Sequence, residues 1–300
     1  MASAARGARR RTGRRGARVL PAAAAAARAP PVRRRMLTGA RRAACLRVVR
    51  TRGLPVLAQL RLEEALLRAH DDDWLIINDG VPLACVLGRS GKPEQMLHLP
   101  LVRDRQVEVV RRFSGGGTVV VDEGTVMASF VLNAGSVLPG ATPCYPQHLM
   151  EWSGRLYAAV FRGIQQQAQQ GGGGAFALRE SDYVLGDRKV GGNAQAIAKR
   201  RFVHHTSFLW DYQPERMQLL RHPPRAPKYR EGRDHAAFVA ALRQVLPAGV
   251  SRQAFVDRVE AAAAQQLGGP SARAVPLEEA ARVLERPFLC NSSRVPPSAL

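Results

Sequence analysis

Apolar positions along the chain change their period several times, and each change marks an element. Residues 46–49 (Leu-Arg-Val-Val) are β-prone, and Pro55 stands where a first helical turn tolerates proline. Leu62, Leu66 and Ala69 recur at helical spacing before Asp71, which predicts a helix. The runs 74–78, 83–88 and 107–110 predict strands, and 118–121 and 126–132 predict two more around a turn at 122–125. A helix is expected from about residue 147 to 167. It leads into a Gln/Gly insert that ends with four glycines, 171–174, and reads as a solvated loop. Strand signals return at 177–185 and 202–210, and helices at 235–246, 252–267 and 277–285 alternate with proline-rich breaks. Strands that come in clusters, rather than in strict alternation with helices, predict an α+β domain. Its sheet should be mixed and mainly antiparallel, flanked by helices.

Charge divides the chain in two. Its 300 residues carry 45 Lys+Arg against 24 Asp+Glu, a formal net charge of +21. Residues 1–50 hold fifteen of the arginines and no Lys, Asp or Glu, so the remaining residues carry only +6. Residues 1–45 are nearly all Arg, Ala, Gly and Pro, including an alanine run at 22–27. Arginine without acid is the composition of an organelle import signal. Hydroxyls are few (Ser3, Thr12, Thr38), which favours the mitochondrial matrix over a plastid. A start at Met36 would instead leave the protein cytoplasmic. An arginine-rich RNA-binding tail fits less well, because no aromatics interleave it and nothing downstream reads as a nucleic-acid module.

The cysteines Cys45, Cys85, Cys144 and Cys290 include no close pair, and the histidines do not complete a zinc set. Free thiols and no dedicated metal site are the expectation. No apolar run approaches a membrane span. A hydrophobic content of 46% with 23% charged residues excludes wholesale disorder.

Three segments carry candidate chemistry. Arg111-Arg112-Phe113-Ser114-Gly115-Gly116-Gly117-Thr118 places three glycines between β-prone runs. Without Cβ atoms a ligand can approach the backbone, and successive N–H groups can converge on an anion. The same residues would also make an ordinary tight turn with surface arginines. Gly186-Asp187-Arg188-Lys189-Val190-Gly191-Gly192-Asn193-Ala194 sets a lysine beside paired glycines. That reads as an ammonium held at a backbone turn, or as a solvated turn with no ligand. In His204-His205 the two side chains would face opposite sides of a strand, one packed inward and one at the surface.

Together, Arg-Arg-x-Ser-Gly-Gly-Gly with x-Val-x-x-Asp, then Gly-Asp-Arg-Lys-Val-x-Gly-x-Ala, then His-His, resemble the lipoate–protein ligase A family of the biotin and lipoate ligases. The resemblance runs from about Leu54 to Trp210. It implies a catalytic domain over 46–224 and leaves 225–300 as a helical extension. It also implies a two-step reaction, in which a lipoate or octanoate carboxylate attacks the α-phosphate of ATP and the acyl-adenylate then acylates a carrier lysine. On that resemblance Arg112, Gly115, Gly116, Gly117, Thr118, Val119 and Val120 would hold the nucleotide phosphates. Lys189 would be catalytic, bridging carboxylate and α-phosphate, and Ser114, Asp182 and Gly192 would line the acyl pocket. Asp122 matches an acidic residue after the loop, while Val121 stands where the family usually has histidine.

ATP with Mg2+ is the implied co-substrate. The implied partners are lipoyl-accepting carrier domains of oxo-acid dehydrogenases and of the glycine-cleavage system, served by a monomer that binds no nucleic acid. Related octanoyltransferases use a cysteine downstream of the lysine motif. No cysteine lies between His205 and Cys290, which favours adenylate chemistry. A transferase that takes preformed lipoyl-adenylate or an acyl carrier is the alternative, and a non-catalytic carrier-binding protein fits less well. Residues 1–50 fused to a fluorescent reporter are expected to direct it to mitochondria in cells; a signal that stays cytosolic would discard the targeting assignment.

Overall fold

Trp74, Leu75, Ile76 and Ile77 show no polar alternation, because the strand they form is covered on both faces. The computed structural model describes residues 45–167, 174–223, 226–267 and 272–300. The expected leader 1–45 lies outside them except for Cys45, as does the Gln/Gly insert apart from Gly174.

The strand of Trp74 is β2 (Trp74–Asp79) of an eight-stranded sheet. β1 (Leu46–Arg52) pairs with it in parallel, and β6 (Thr125–Asn133) pairs on its other side. The sheet continues through β10 (Arg201–Leu209), β9 (Arg188–Ala198), β8 (Asp182–Leu185) and β7 (Phe176–Arg179), with every pairing from β2 to β7 antiparallel. A smaller sheet holds β3 (Ala84–Leu87), β4 (Glu108–Arg111) and β5 (Val119–Val121). The mixed, mainly antiparallel α+β architecture expected from the sequence is the one observed.

Period two sorts the core. Leu75, Ile77, Phe130 and Phe202 face two long helices, α2 (Pro146–Gln167) and α3 (Arg252–Gln266). Trp74, Ile76, Val131 and Val203 face α1 (Val56–Ala69) and one side of the small sheet. Cys85, Leu87 and Val120 pack beneath Leu97, Val102 and Leu219 on its other side.

Several expectations shift. The run 177–185 is a hairpin, β7–β8, because Glu180 adopts a left-handed φ of 52° at the turn. Two short helices, Pro93–Met96 and Leu99–Asp104, occupy a stretch for which the sequence suggested no element. The helix expected over 235–246 is two single turns, His235–Phe238 and Leu242–Val245. Between them Val239 extends to bridge the backbone of Lys189.

Residues 226–300 contribute more than the helices expected of an extension. β11 (Ala272–Ala274) adds to β1, and β12 (Ser293–Arg294) adds to β4. The tail is fastened at Glu64, fully buried on α1. Its carboxylate accepts N–H bonds from Asn291 and Ser292 and pairs with Arg68 at 2.8 Å. Burial pushes the Glu64 pKa upward, but the hydrogen bonds from Asn291, Arg68 and Ser292 outweigh it and leave the group below its usual value.

Gly191 lies where rings from both neighbouring strands close in on β9. A Cβ there would lie 2.9 Å from the Phe208 ring and 3.4 Å from Tyr183. Gly191→Ala is expected to cost about 1–3 kcal/mol by overpacking, read as a lower urea midpoint; an unchanged midpoint would mean that the rings move aside freely.

Candidate active site

Arginine 112 leaves β4 into the triple-glycine loop and turns its side chain back beneath that loop. Its Nε and Nη2 donate to the Gly115 carbonyl at 3.2 and 2.8 Å, Nη2 also to Gly117 at 2.7 Å, and Nη1 to Val86 at 3.3 Å. The guanidinium is buried, and burial pushes its pKa down to about 10 while Glu63 opposes the shift. In a trans peptide C=O and N–H point opposite ways. With the Gly115 and Gly117 carbonyls drawn onto Arg112, the N–H groups of Gly116 and Thr118 are directed away from the guanidinium. Glycine is required here by space as well as by angle. Gly116 has φ +97°, and a Cβ on it would stand 2.9 Å from Arg112 Nη2. Gly88, from the small sheet, is the bed of the loop, since its Cβ would overlap the Gly116 carbonyl.

The loop forms one wall of a cavity of about 510 Å3. Gly116, Gly117, Thr118, Val119 and Val120 line it, and so do Asp182, Lys189 and Gly192 on β8 and β9. Val56, Leu60, Val86 and Met127 supply an apolar end. The volume and the mixed lining suit a small organic ligand with one charged region.

Lys189 stands near the start of β9, on a strand rather than at the turn expected from the sequence; the turn precedes it at Gly186-Asp187. Its Nζ lies 2.7 Å from Asp182 Oδ1, and Asp182 Oδ2 accepts from the Tyr229 hydroxyl at 2.9 Å. Register explains the meeting. Asp182 pairs with Gly192, and the missing side chain of Gly192 leaves room for the lysine, whose Nζ would be 3.4 Å from a Cβ there. The main chain of Lys189 is fixed from outside the sheet, as its carbonyl accepts the Ala240 N–H at 2.8 Å.

Two of the expected positions lie away from this cavity. Ser114 and Gly115 do not line this cavity. Ser114 turns toward α1, where its Oγ lies 3.0 Å from His205 Nε2; His205 Nδ1 lies 2.8 Å from the fully buried Glu63. Arg112 lines the cavity as expected of a phosphate-side residue, and its bonds to the Val86, Gly115 and Gly117 carbonyls also set the shape of the loop. Asp122 caps the β5–β6 turn, accepting from Gly124 N–H and Arg216.

The histidine pair faces opposite sides as expected, yet both residues are buried because both faces of the sheet are covered. His204 contacts the Tyr183 hydroxyl at 2.9 Å and Gln195 at 3.1 Å. Sequence reasoning missed the fourth wall. Arg230, His235, Phe238 and Val239 line the cavity from the C-terminal third, and Tyr229 reaches it through Asp182. Tyr229 and Phe238 pack 5.2 Å apart between ring centroids, a contact between two separate single turns that no sequence spacing announces.

Burial, with the neighbouring His205, pushes the His204 pKa down to about 3. Below the ordinary value of about 6.5 the unfolded chain takes up a proton that the folded chain refuses until about pH 3. Stability should therefore fall with pH across that window, at up to about 1.4 kcal/mol per pH unit for this group. His204→Gln is expected to flatten the dependence of the urea midpoint between pH 6 and pH 4; equal slopes in variant and parent would refute the assignment.

Residues 55–264 match the model of the lipoyl protein ligase A/B catalytic domain. A Plasmodium falciparum protein described as an inactive lipoate–protein ligase 2 is 28% identical over 186 residues, 54% of this chain and 48% of that protein. The chain thus spans about half the length of that relative. A crystal structure of lipoate-protein ligase A bound with ATP superposes with a TM-score of 0.61 at 18% identity, covering 80% of this chain and 93% of the other. A Thermoplasma acidophilum putative lipoate protein ligase with bound lipoic acid gives 0.62 at 17%, covering 80% and 94%. A bipartite lipoate protein ligase described with its E2 lipoyl domain, from the same archaeon, gives 0.61 at 15%, covering 80% and 90%. At these identities the structures establish a shared fold. With its family match spanning most of its length, the chain belongs to the lipoyl protein ligase A/B catalytic domain family.

Proposed function

We propose that this protein is an ATP-dependent lipoate–protein ligase. It would activate lipoate or octanoate as the acyl-adenylate and pass the acyl group to a lysine of a carrier domain. One observation carries the reading: the Lys189 ammonium, steadied by Asp182, shares a single cavity with a glycine loop whose carbonyls are drawn inward by Arg112.

The first step must bring a carboxylate against a triphosphate, both negative. Lys189 gives one of its three N–H donors to Asp182, which leaves others for the two substrates. In that position the ammonium screens their repulsion and stabilises charge on the α-phosphate oxygens as the carboxylate oxygen bonds to phosphorus and pyrophosphate leaves. The N–H groups of Gly116 and Thr118 are free of Arg112, and the buried Thr118 hydroxyl has no hydrogen-bond partner among the described residues. Both suit phosphate oxygens. The apolar end at Val56, Leu60, Val86 and Met127 fits an aliphatic chain. In the second step the same ammonium would polarise the anhydride carbonyl toward the incoming lysine.

The ordered cysteines offer no covalent relay at this place. None of them lines the cavity, and burial pushes the Cys85 thiol up to about 12. Magnesium would arrive with the nucleotide. Acidic carrier domains would meet a body whose net charge beyond residue 50 is +6. The mitochondrial matrix is the proposed setting.

The full chain is expected to catalyse lipoate-dependent exchange of pyrophosphate into ATP, and Lys189→Ala to reduce the rate by about a hundredfold or more. Exchange undiminished in that variant would overturn the role of Lys189. Absence of exchange, with acyl groups still moving from lipoyl-adenylate to a carrier, would identify a transferase instead.

A further inference from the structure

Ser114, His205 and Glu63 form an arrangement that the ligase chemistry does not use. The Ser114 Oγ lies 3.0 Å from His205 Nε2, and His205 Nδ1 lies 2.8 Å from Glu63 Oε2. Glu63 is fully buried, and its other oxygen accepts from Gln59 Nε2 at 2.9 Å and from Ser129 Oγ at 2.5 Å, so the carboxylate is fixed in place. A carboxylate only accepts. The proton of a neutral His205 therefore sits on Nδ1, and Nε2 is left to accept from the Ser114 hydroxyl. Serine, histidine and carboxylate stand in the order that makes a hydroxyl nucleophilic.

A second hollow reaches this serine. It measures about 320 Å3, and Ser114 and Gly115 line it together with an apolar side of Leu67, Phe113, Pro146 and Ile197. None of these six residues lines the Lys189 cavity. Ser114 is 1% exposed, so a substrate must come to it through this hollow. The N–H of Gly115, next in the chain, donates to no other described residue. An N–H directly after the nucleophile suits the negative charge that develops on a carbonyl oxygen under attack. The apolar side fits an aliphatic acyl chain.

We propose that Ser114, His205 and Glu63 are a second catalytic site, one that hydrolyses carboxylic esters of fatty acids. The inference goes beyond the ligase reading, since the reaction uses neither a nucleotide nor Lys189. Ser114 Oγ bonds to the ester carbonyl carbon as its proton passes to His205 Nε2. The bond from that carbon to the alcohol oxygen then breaks, and His205 returns the proton to the leaving alcohol. Water repeats the sequence on the acyl-serine: its oxygen bonds to the carbonyl carbon, its proton passes through His205 to Ser114 Oγ, and the fatty acid departs. Glu63 keeps the histidine in the required tautomer throughout.

Two measurements on the full chain test this. An alkyl fluorophosphonate is expected to label Ser114, read as a mass shift on the peptide that carries it. Hydrolysis of p-nitrophenyl octanoate is expected to fall about tenfold or more in Ser114→Ala. An unlabelled Ser114 overturns the proposal, and so does a smaller loss in the variant. Labelling needs no substitution, so it decides the matter if Ser114→Ala does not fold. Pyrophosphate exchange on the same preparation keeps the two readings apart: exchange without labelling removes only this site, and labelling without exchange removes only the ligase reading.

Discussion

One shared carboxylate joins the two parts of the chain that make the cavity. Asp182 begins β8, Lys189 reaches it from β9, and Tyr229 reaches it from a segment some forty residues later. Removing a carboxylate and an ammonium from water is unfavourable, and mutual attraction offsets that only when hydrogen bonds complete the geometry. The Tyr229 hydroxyl and the open place above Gly192 supply that completion. The main-chain bridge from Val239 and Ala240 to Lys189 then fixes the lysine stem from behind. An ammonium anchored at both ends of its side chain is pre-organised for ligand oxygens instead of sweeping through solvent.

Arg112 and Arg230 are both buried, and both line the cavity. Arg112 gives donors to the Gly115 and Gly117 carbonyls and shapes the loop, whereas Arg230 donates to the Arg233 carbonyl and lies over the Phe238 ring. His205 matched the family pattern as part of a pair. It links Glu63 on α1 to Ser114 at the root of the glycine loop, so the position of the helix and that of the loop are set together.

Much of this was legible before any coordinates. Strands buried on both faces write themselves as apolar runs, so the Trp74 and Phe130 strands were readable, as was the long helix ending near Gln167. The glycine loop and Lys189 were readable because bare backbone and an isolated lysine are rare together. What failed was whatever depends on partners distant in sequence. Lys189 belongs to a strand, but Gly191 and Gly192 erase the alternation that would have marked it; only the facing Phe208 and Asp182 reveal why glycine is needed. The C-terminal wall has no period to read, since residues 228–245 are single turns whose positions are dictated by Lys189 and Asp182. That Arg112 also holds the loop carbonyls was not legible, because the sequence counts charges and cannot say which oxygens they will face.

One edge of each sheet is formed by a strand from residues 272–300. Leu46 pairs with Ala272, and Val110 with Arg294. During synthesis, then, β1 must wait with one edge unpaired until residues 272–274 have left the ribosome. Such long-range closure is slow and exposes a sticky edge in the meantime. A nascent chain of this design keeps that edge open to other strands until residues 272–274 emerge, and removing residues 272–300 would take away β11 and β12, which finish one side of each sheet, while leaving most of the cavity wall encoded.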